Sequence, residues 1–139
     1  EYGVEKVPFD ELLDHADHVS IHAPLTEETH HLFDREAFER MSDMAVLVNV
    51  GRGPIVDEEA LVWALDNDEI AAAGIDVLES ESPEESPVAE RDDVIMTPHA
   101  AFYSEESLTD LNEQLGRDIQ AVFDDERPEG IVDPEEPEA

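Results

Sequence analysis

Residues 45–65 read AVLVNVGRGPIVDEEALVWAL, and the fold turns on this stretch. Ala45, Val46, Leu47, Val48 and Val50 form a short apolar run without alternation. A run of that kind, rich in β-branched residues, reads as a strand buried on both faces of a sheet. Gly51, Arg52, Gly53 and Pro54 break it. Asp57 is then placed to cap a helix whose first turn carries Glu58 and Glu59, where negative charge suits the helix dipole. The stretch is one strand–turn–helix unit.

The same unit recurs on either side. Val19, Ile21 and Ala23 lie in one apolar run, Ala71 to Ala73 with Ile75 and Val77 in another, and Val94, Ile95 and Met96 in a third. Asp10 is expected to cap a short helix carrying Leu12 and Leu13, and Asp34 one carrying Ala37, Phe38 and Met41. Alternation of strands and helices at this spacing predicts a parallel sheet, fold class α/β. Leu108, Leu111, Leu115, Ile119 and Val122 keep a three-to-four-residue spacing and predict a long amphipathic helix of roughly five turns. Residues 79–91, ESESPEESPVAER, read as an irregular link, and 126–139, ERPEGIVDPEEPEA, as an acidic, Pro/Glu-rich, loose tail. A doubly wound dinucleotide domain opens with G-x-G-x-x-G between strand and helix. No such motif occurs, and the sequence opens on Glu1, so the first part of a larger domain is expected upstream.

Charge narrows the function. The 139 residues hold 39 Asp+Glu against 7 Lys+Arg, a formal net charge of −32, with 40% hydrophobic residues and no cysteine. There is no basic footprint for nucleic acid. There is no disulfide framework, thiolate metal site or cysteine nucleophile. No apolar run approaches the ~20 residues that span a bilayer, and no signal peptide is visible, so a cytoplasmic location and no membrane partner are expected. Composition alone permits a disordered acidic chain or a fold working where salt screens its repulsion. The acids lie between apolar segments, which favours the fold.

The residues that could carry chemistry follow the predicted strands. Arg52 sits between two glycines that let backbone approach a ligand closely. It could hold a carboxylate bidentately, or be a structural ion pair in an acidic protein. Asp76 ends the third strand, where it could accept hydrogen bonds from a ligand's ribose or amide, although a lone Asp is more often surface. Glu79 and Glu81 follow in a loop where solvated charge is the plain reading. His99, after the fourth strand, could act as acid or base, or be an ordinary loop histidine. His30 and His31 resemble part of a metal site, but no His-x3-His or His-Glu-x-x-His spacing occurs and no metal is expected. His15 and His18 read as helix-end and surface residues, and His22 as a strand end. An arginine, a glutamate and a histidine thus follow three successive strands at one edge of the sheet.

At that point the sequence resembles the D-isomer-specific 2-hydroxyacid dehydrogenases. The matching stretches are HVSIHAPLTEETHHLFDREAFERM (18–41), LVNVGRGPIVDEEALVWAL (47–65), AAAGIDVLESES (71–82) and VIMTPHAAFYSEES (94–107). They lie in family order and cover nearly the whole chain from about Phe9. ETHHL, DVLESES and TPHAAFYSEES look closest to the C-terminal-binding-protein and phosphoglycerate-dehydrogenase-like branch. The resemblance implies the C-terminal portion of a Rossmann-type doubly wound parallel sheet ending in the long helix. It makes 1–125 a partial dinucleotide-binding domain, without its glycine-rich half, and 126–139 the tail.

It further implies that Arg52 binds the substrate's carboxylate and carbonyl, that Glu81 pairs with the catalytic histidine, and that His99 is that histidine, the general acid in keto-acid reduction. Pro24, Val50, Gly51, Arg52, Asp76, His99 and Ala101 fall where members contact the cofactor, and Phe102 where the branch has an aromatic near the substrate. The implied cofactor is NAD, with NADP left open, and the substrate a small 2-keto or 2-hydroxy acid. The whole enzyme is expected to be a homodimer. Ser82 replaces the proline usual after the glutamate, which shifts that loop. Two other readings stand beside the enzyme: a dinucleotide-sensing or interaction module without catalysis, and an inactive truncated fragment. The chain alone, lacking the phosphate loop, is expected to bind NADH very weakly. The spread of acids is that of a halophile's surface, with folding expected to need molar salt.

Overall fold

A computed structural model describes residues 3–80 and 82–131. The chain divides into two compact units that part after residue 99. The first unit holds α1 (Phe9–His15), β1 (His18–Ile21), α2 (Arg35–Arg40), β2 (Val46–Asn49), α3 (Glu58–Asp66), β3 (Ala72–Ile75) and β4 (Val94–Met96). Short 3-10 turns cover Gly53–Ile55 and Pro83–Glu85.

The four strands are all parallel, in the order β1-β2-β3-β4. Register aligns Val19, Leu47, Ala73 and Val94 in one row across the sheet, and all four are buried. This row joins Leu13 of α1, Ala37 and Phe38 of α2, and Leu61 and Ala64 of α3 in a single core. The neighbouring row on the other face, Ser20, Val48, Gly74 and Ile95, is not buried, and Ile95 is 75% exposed. The expectation of strands buried on both faces is therefore corrected: each strand buries alternate residues. The helices of this unit pack into the core of one face, and nothing in the unit covers the other among the described residues. An apolar run shows that a strand has two apolar sides, not that both are covered within one unit.

Asp34 caps α2 by accepting from the Ala37 N–H at 3.0 Å, and Asp57 caps α3 from the Ala60 N–H at 3.0 Å. The expected Asp10 cap does not form. Pro8 stands at the N-cap with extended backbone, and Asp10 lies inside the first turn of α1. Proline's fixed φ starts that helix two residues earlier, without a side-chain acceptor.

The second unit contains α4 (Glu105–Phe123). Ser104 and Ser107 cap it reciprocally, each hydroxyl accepting the other's N–H at 3.0 and 3.1 Å. Leu111, Leu115, Ile119 and Val122 form the expected stripe and are exposed. Asp118 accepts the N–H groups of Glu129 and Gly130 at 3.0 and 3.3 Å, tying the start of the expected loose tail to α4. The remainder of that tail, 132–139, lies outside the described residues.

Candidate active site

The turn after β2 is built by Asn49, which is fully buried. Its side-chain oxygen accepts the Gly51 N–H at 3.0 Å and its amide donates to the Arg52 carbonyl at 3.0 Å. Both lone backbone groups of the turn are thus satisfied inside the fold. A Cβ on Gly51 would lie 2.9 Å from the Ala23 carbonyl, and one on Gly53 would lie 1.8 Å from the Leu78 carbonyl. These glycines let the loops after β1 and β3 close on the β2 turn. This is a structural reason for the two glycines beside the expected close approach to a ligand, and Gly53 also lines the cavity described below.

Arg52 stands between them, exposed at the C-terminal end of β2. Its guanidinium donates to the Gly51 carbonyl at 2.9 Å and has no carboxylate partner among the described residues. The alternative of a structural ion pair finds no carboxylate for Arg52 among the described residues.

Asp76 follows β3 and is 5% exposed. Its N–H donates to the Asn49 carbonyl at 2.9 Å, and its carboxylate accepts from the Thr97 hydroxyl. Thr97 in turn donates its N–H to the Ile75 carbonyl at 3.0 Å. The ends of β2, β3 and β4 are thereby laced together. His99 comes next, with φ of 51°, the left-handed region that L side chains rarely adopt. Its N–H donates to the Asp76 carbonyl at 2.8 Å, which holds the strained backbone in place. The ring is exposed and has no hydrogen-bond partner among the described residues.

Arg52, Asp76 and His99 line one cavity of about 640 Å³ with Gly53, Leu78 and Met96. Of the other expected cofactor contacts, Pro24 follows β1, and Val50 and Gly51 follow β2, outside that lining. Ala101 and Phe102 belong to the second unit, which is described by itself. Glu81 lies outside the described residues.

Glu79, read from sequence as solvated charge, is engaged instead. Its carboxylate meets the His31 ring at 2.6 Å and accepts the Glu58 N–H at 3.2 Å. His31 also has φ of 51° and a stacked neighbour in His30, so the His30-His31 pair serves a loop contact. Sequence reasoning missed Asn49, Thr97, Glu58 and Ser86. Only Asn49 carries a local signal, an amide two residues before a glycine in a turn.

A cavity at the carboxyl ends of parallel strands is where ligands bind in open α/β sheets. The family described as "D-isomer specific 2-hydroxyacid dehydrogenase, NAD binding domain" matches residues 1–101. The chain belongs to that family. Among the relatives of this 2-hydroxyacid dehydrogenase domain is a glyoxylate reductase of Korarchaeum cryptofilum, 42% identical over 97% of this chain and 41% of its own length. A D-specific alpha-keto acid dehydrogenase of Enterococcus faecium is 39% identical over 89% of the chain and 42% of its own length. In structure, D-lactate dehydrogenase with NAD+ from Lactobacillus jensenii superposes with a TM-score of 0.83 at 34% identity, over 91% of this chain and 42% of that one. The chain thus spans about two fifths of the relatives it matches. The Rossmann-like α/β fold expected from the sequence is the one these proteins share.

Proposed function

We propose that the intact protein reduces 2-keto acids to D-2-hydroxy acids with NADH, and that Arg52, Glu81 and His99 are its catalytic set. One observation carries this reading. A single cavity is lined by an arginine and a histidine ring, neither with a side-chain partner among the described residues, together with a buried aspartate. The cofactor's nicotinamide end fits such a place. The cavity is roomy, its wall is largely apolar, and the buried Asp76 carboxylate offers an acceptor for an amide or ribose hydroxyl. Pro24, Val50, Gly51 and Ala101 are the further contacts, and NADP is not set apart from NAD. Bound NADH supplies the hydride.

The chain's own residues do the rest. Arg52 holds the keto acid's carboxylate through two parallel N–H bonds and fixes the carbonyl's orientation. His99 holds a proton at its ring nitrogen and gives it to the carbonyl oxygen as negative charge develops there. Glu81 is the carboxylate that pairs with the His99 ring in this reading. The usual proline after that glutamate is Ser82 here, and Pro83 lines the cavity one place later.

The wider reading makes 1–125 part of the dinucleotide domain and 126–139 an acidic tail of a cytoplasmic homodimer. The glyoxylate reductases among the relatives favour a small substrate such as glyoxylate or hydroxypyruvate over the phosphoglycerate-like branch. The net charge of −32 supports a halophile's protein. Folding followed by circular dichroism is expected to need molar salt, and a full cooperative fold in dilute buffer would remove that part alone.

The test of function is turnover. The intact protein should oxidise NADH with glyoxylate, hydroxypyruvate or pyruvate, and His99→Ala should lose it by a factor of about 100 or more. Wild-type turnover in that variant overturns the assignment. NADH binding without turnover across the panel turns the protein into a sensor.

A further inference from the structure

The cavity wall after β3 is held from behind by a group of side chains that none of the catalytic roles uses. Segment 31–33 runs beside 54–57: the His31 N–H donates to the Pro54 carbonyl at 2.8 Å, the Phe33 N–H to Ile55 at 3.0 Å, and the Asp57 N–H to Phe33 at 3.1 Å. This places the His31 ring at the start of α3. There its Nε2 meets Glu79 Oε1 at 2.6 Å. The other Glu79 oxygen accepts the Glu58 N–H at 3.2 Å, one of the unpaired donors at the start of α3. Glu58 answers in kind. Its Oε1 accepts the Glu79 N–H at 2.8 Å and its Oε2 accepts the Ser86 hydroxyl at 2.5 Å. Glu58 is 6% exposed, so its carboxylate is held by these bonds and not by water.

One buried carboxylate therefore grips both ends of the segment 79–86, and a reciprocal pair with Glu79 locks the near end. The segment supplies Glu79 and Pro83 to the cavity lining, and it is the stretch of sequence that carries Glu81. We propose that His31, Glu58 and Ser86 are positioning residues. They act through Glu79 to fix the part of the cavity wall formed by Glu79 and Pro83, so that a substrate held by Arg52 meets His99 in a set geometry. This rests on the proposed dehydrogenase reading. Substrate geometry is sensitive to such support, since small misplacements of a catalytic group carry large rate effects.

The experiment uses the intact protein with two variants and a rescue for each: Ser86→Ala with Ser86→Thr, and His31→Ala with His31→Gln. Hydrogen exchange at residues 78–88, and kcat and KM for glyoxylate with the NADH Kd, are read together. The alanine variants should exchange the Glu79 amide roughly tenfold faster, the size of one lost hydrogen bond to a charged group. They should lower kcat by about tenfold while leaving the NADH Kd near wild type, and Ser86→Ala, which strips a buried Glu58 oxygen of its donor, should also lower the melting temperature by several degrees. Ser86→Thr and His31→Gln each keep a donor at the contact and should recover most of both effects. Unchanged exchange overturns the clamp. Faster exchange with unchanged kcat leaves it a structural contact and overturns the positioning role. A wild type that turns over no 2-keto acid while binding NADH overturns the dehydrogenase reading and the catalytic role with it, and the exchange pattern still decides whether the clamp holds the segment.

Discussion

Arg91 and Arg52 stand at opposite ends of the same parallel sheet, one just before β4 and the other just after β2. Arg91 is fully engaged. Its Nε and Nη2 donate to the two Asp93 oxygens at 2.8 Å each, and its Nη1 donates to Asp66 at 2.7 Å, joining the end of α3 to the start of β4. The hydrogen bonds to Asp93 and Asp66 push its already high pKa further up. Arg52 has no such partner among the described residues and lines the cavity with His99. In a chain with 39 acids and 7 bases, an acid is available almost everywhere. An arginine kept without one at the strand ends leaves its donors for an anion, and an arginine gripped by two carboxylates is a corner of the fold. Charge count alone does not separate the two; the partner does.

Swapping the two residues' fates tests this most strongly. Arg52→Ala should lower kcat/KM for a 2-keto acid by about 100- to 1000-fold, the loss expected for a charged group aimed at the reacting centre. Its stability in urea should stay within about 0.5 kcal/mol of wild type, because no carboxylate among the described residues is orphaned. Arg52→Lys should recover only part, since an ammonium cannot grip a carboxylate at two points. Steady-state kinetics and urea titration together decide it. A variant that keeps its activity but unfolds early would make Arg52 a second Arg91.

Gly53→Ala attacks the same rim through shape. The new methyl would meet the Leu78 carbonyl at 1.8 Å, and backbone atoms cannot swing away as a side-chain tip can. A loss of about 2–3 kcal/mol in urea titration is expected, with the loop after β3 displaced and turnover reduced. Stability equal to wild type would mean that the β2 and β3 loops do not close as tightly as described.

Arg91→Ala gives the complementary outcome. The guanidinium is partly screened by solvent and its carboxylates can rehydrate, so about 1 kcal/mol of stability should go. KM and kcat should not move. A changed KM would show that the far end of the sheet is coupled to the rim.

The contrast was only half legible in the sequence. The strand ends were legible because each apolar run stops at a polar or glycine residue, and the Asp34 and Asp57 caps because a cap and its helix are neighbours in sequence. Arg52, Asp76 and His99 followed those strand ends, so a parallel sheet brings them to one edge. The uncovered sheet face was not legible, since apolar content says nothing about which unit supplies the cover. Nor was the Glu79 contact. Its partner His31 lies 48 positions away in an unrelated loop. Among so many acids, Glu79 has no local feature that distinguishes it from a solvated side chain.

The smallest effect sharpens the comparison through pH. The Arg91 hydrogen bond holds the Asp93 carboxyl below its ordinary value of 3.8. A folded-state pKa that lies below the unfolded one adds stability above the unfolded value, and that stability disappears as pH falls through the folded one. The Asp93 contribution is therefore whole at about pH 6 and drains away below 3.8. Asp14 beside Arg40, and Asp118 beside Gln114, drain in the same direction. Removing Arg91 lets Asp93 titrate near its unfolded value, so the stability gap between wild type and Arg91→Ala should close as pH falls from about 6 to about 2. The gap for Arg52→Ala should stay flat over the same range, because no carboxylate among the described residues depends on it. Urea titrations at stepped pH read both. A gap for Arg52→Ala that also closes in acid would reveal a carboxylate partner and would move Arg52 to the structural side of the comparison.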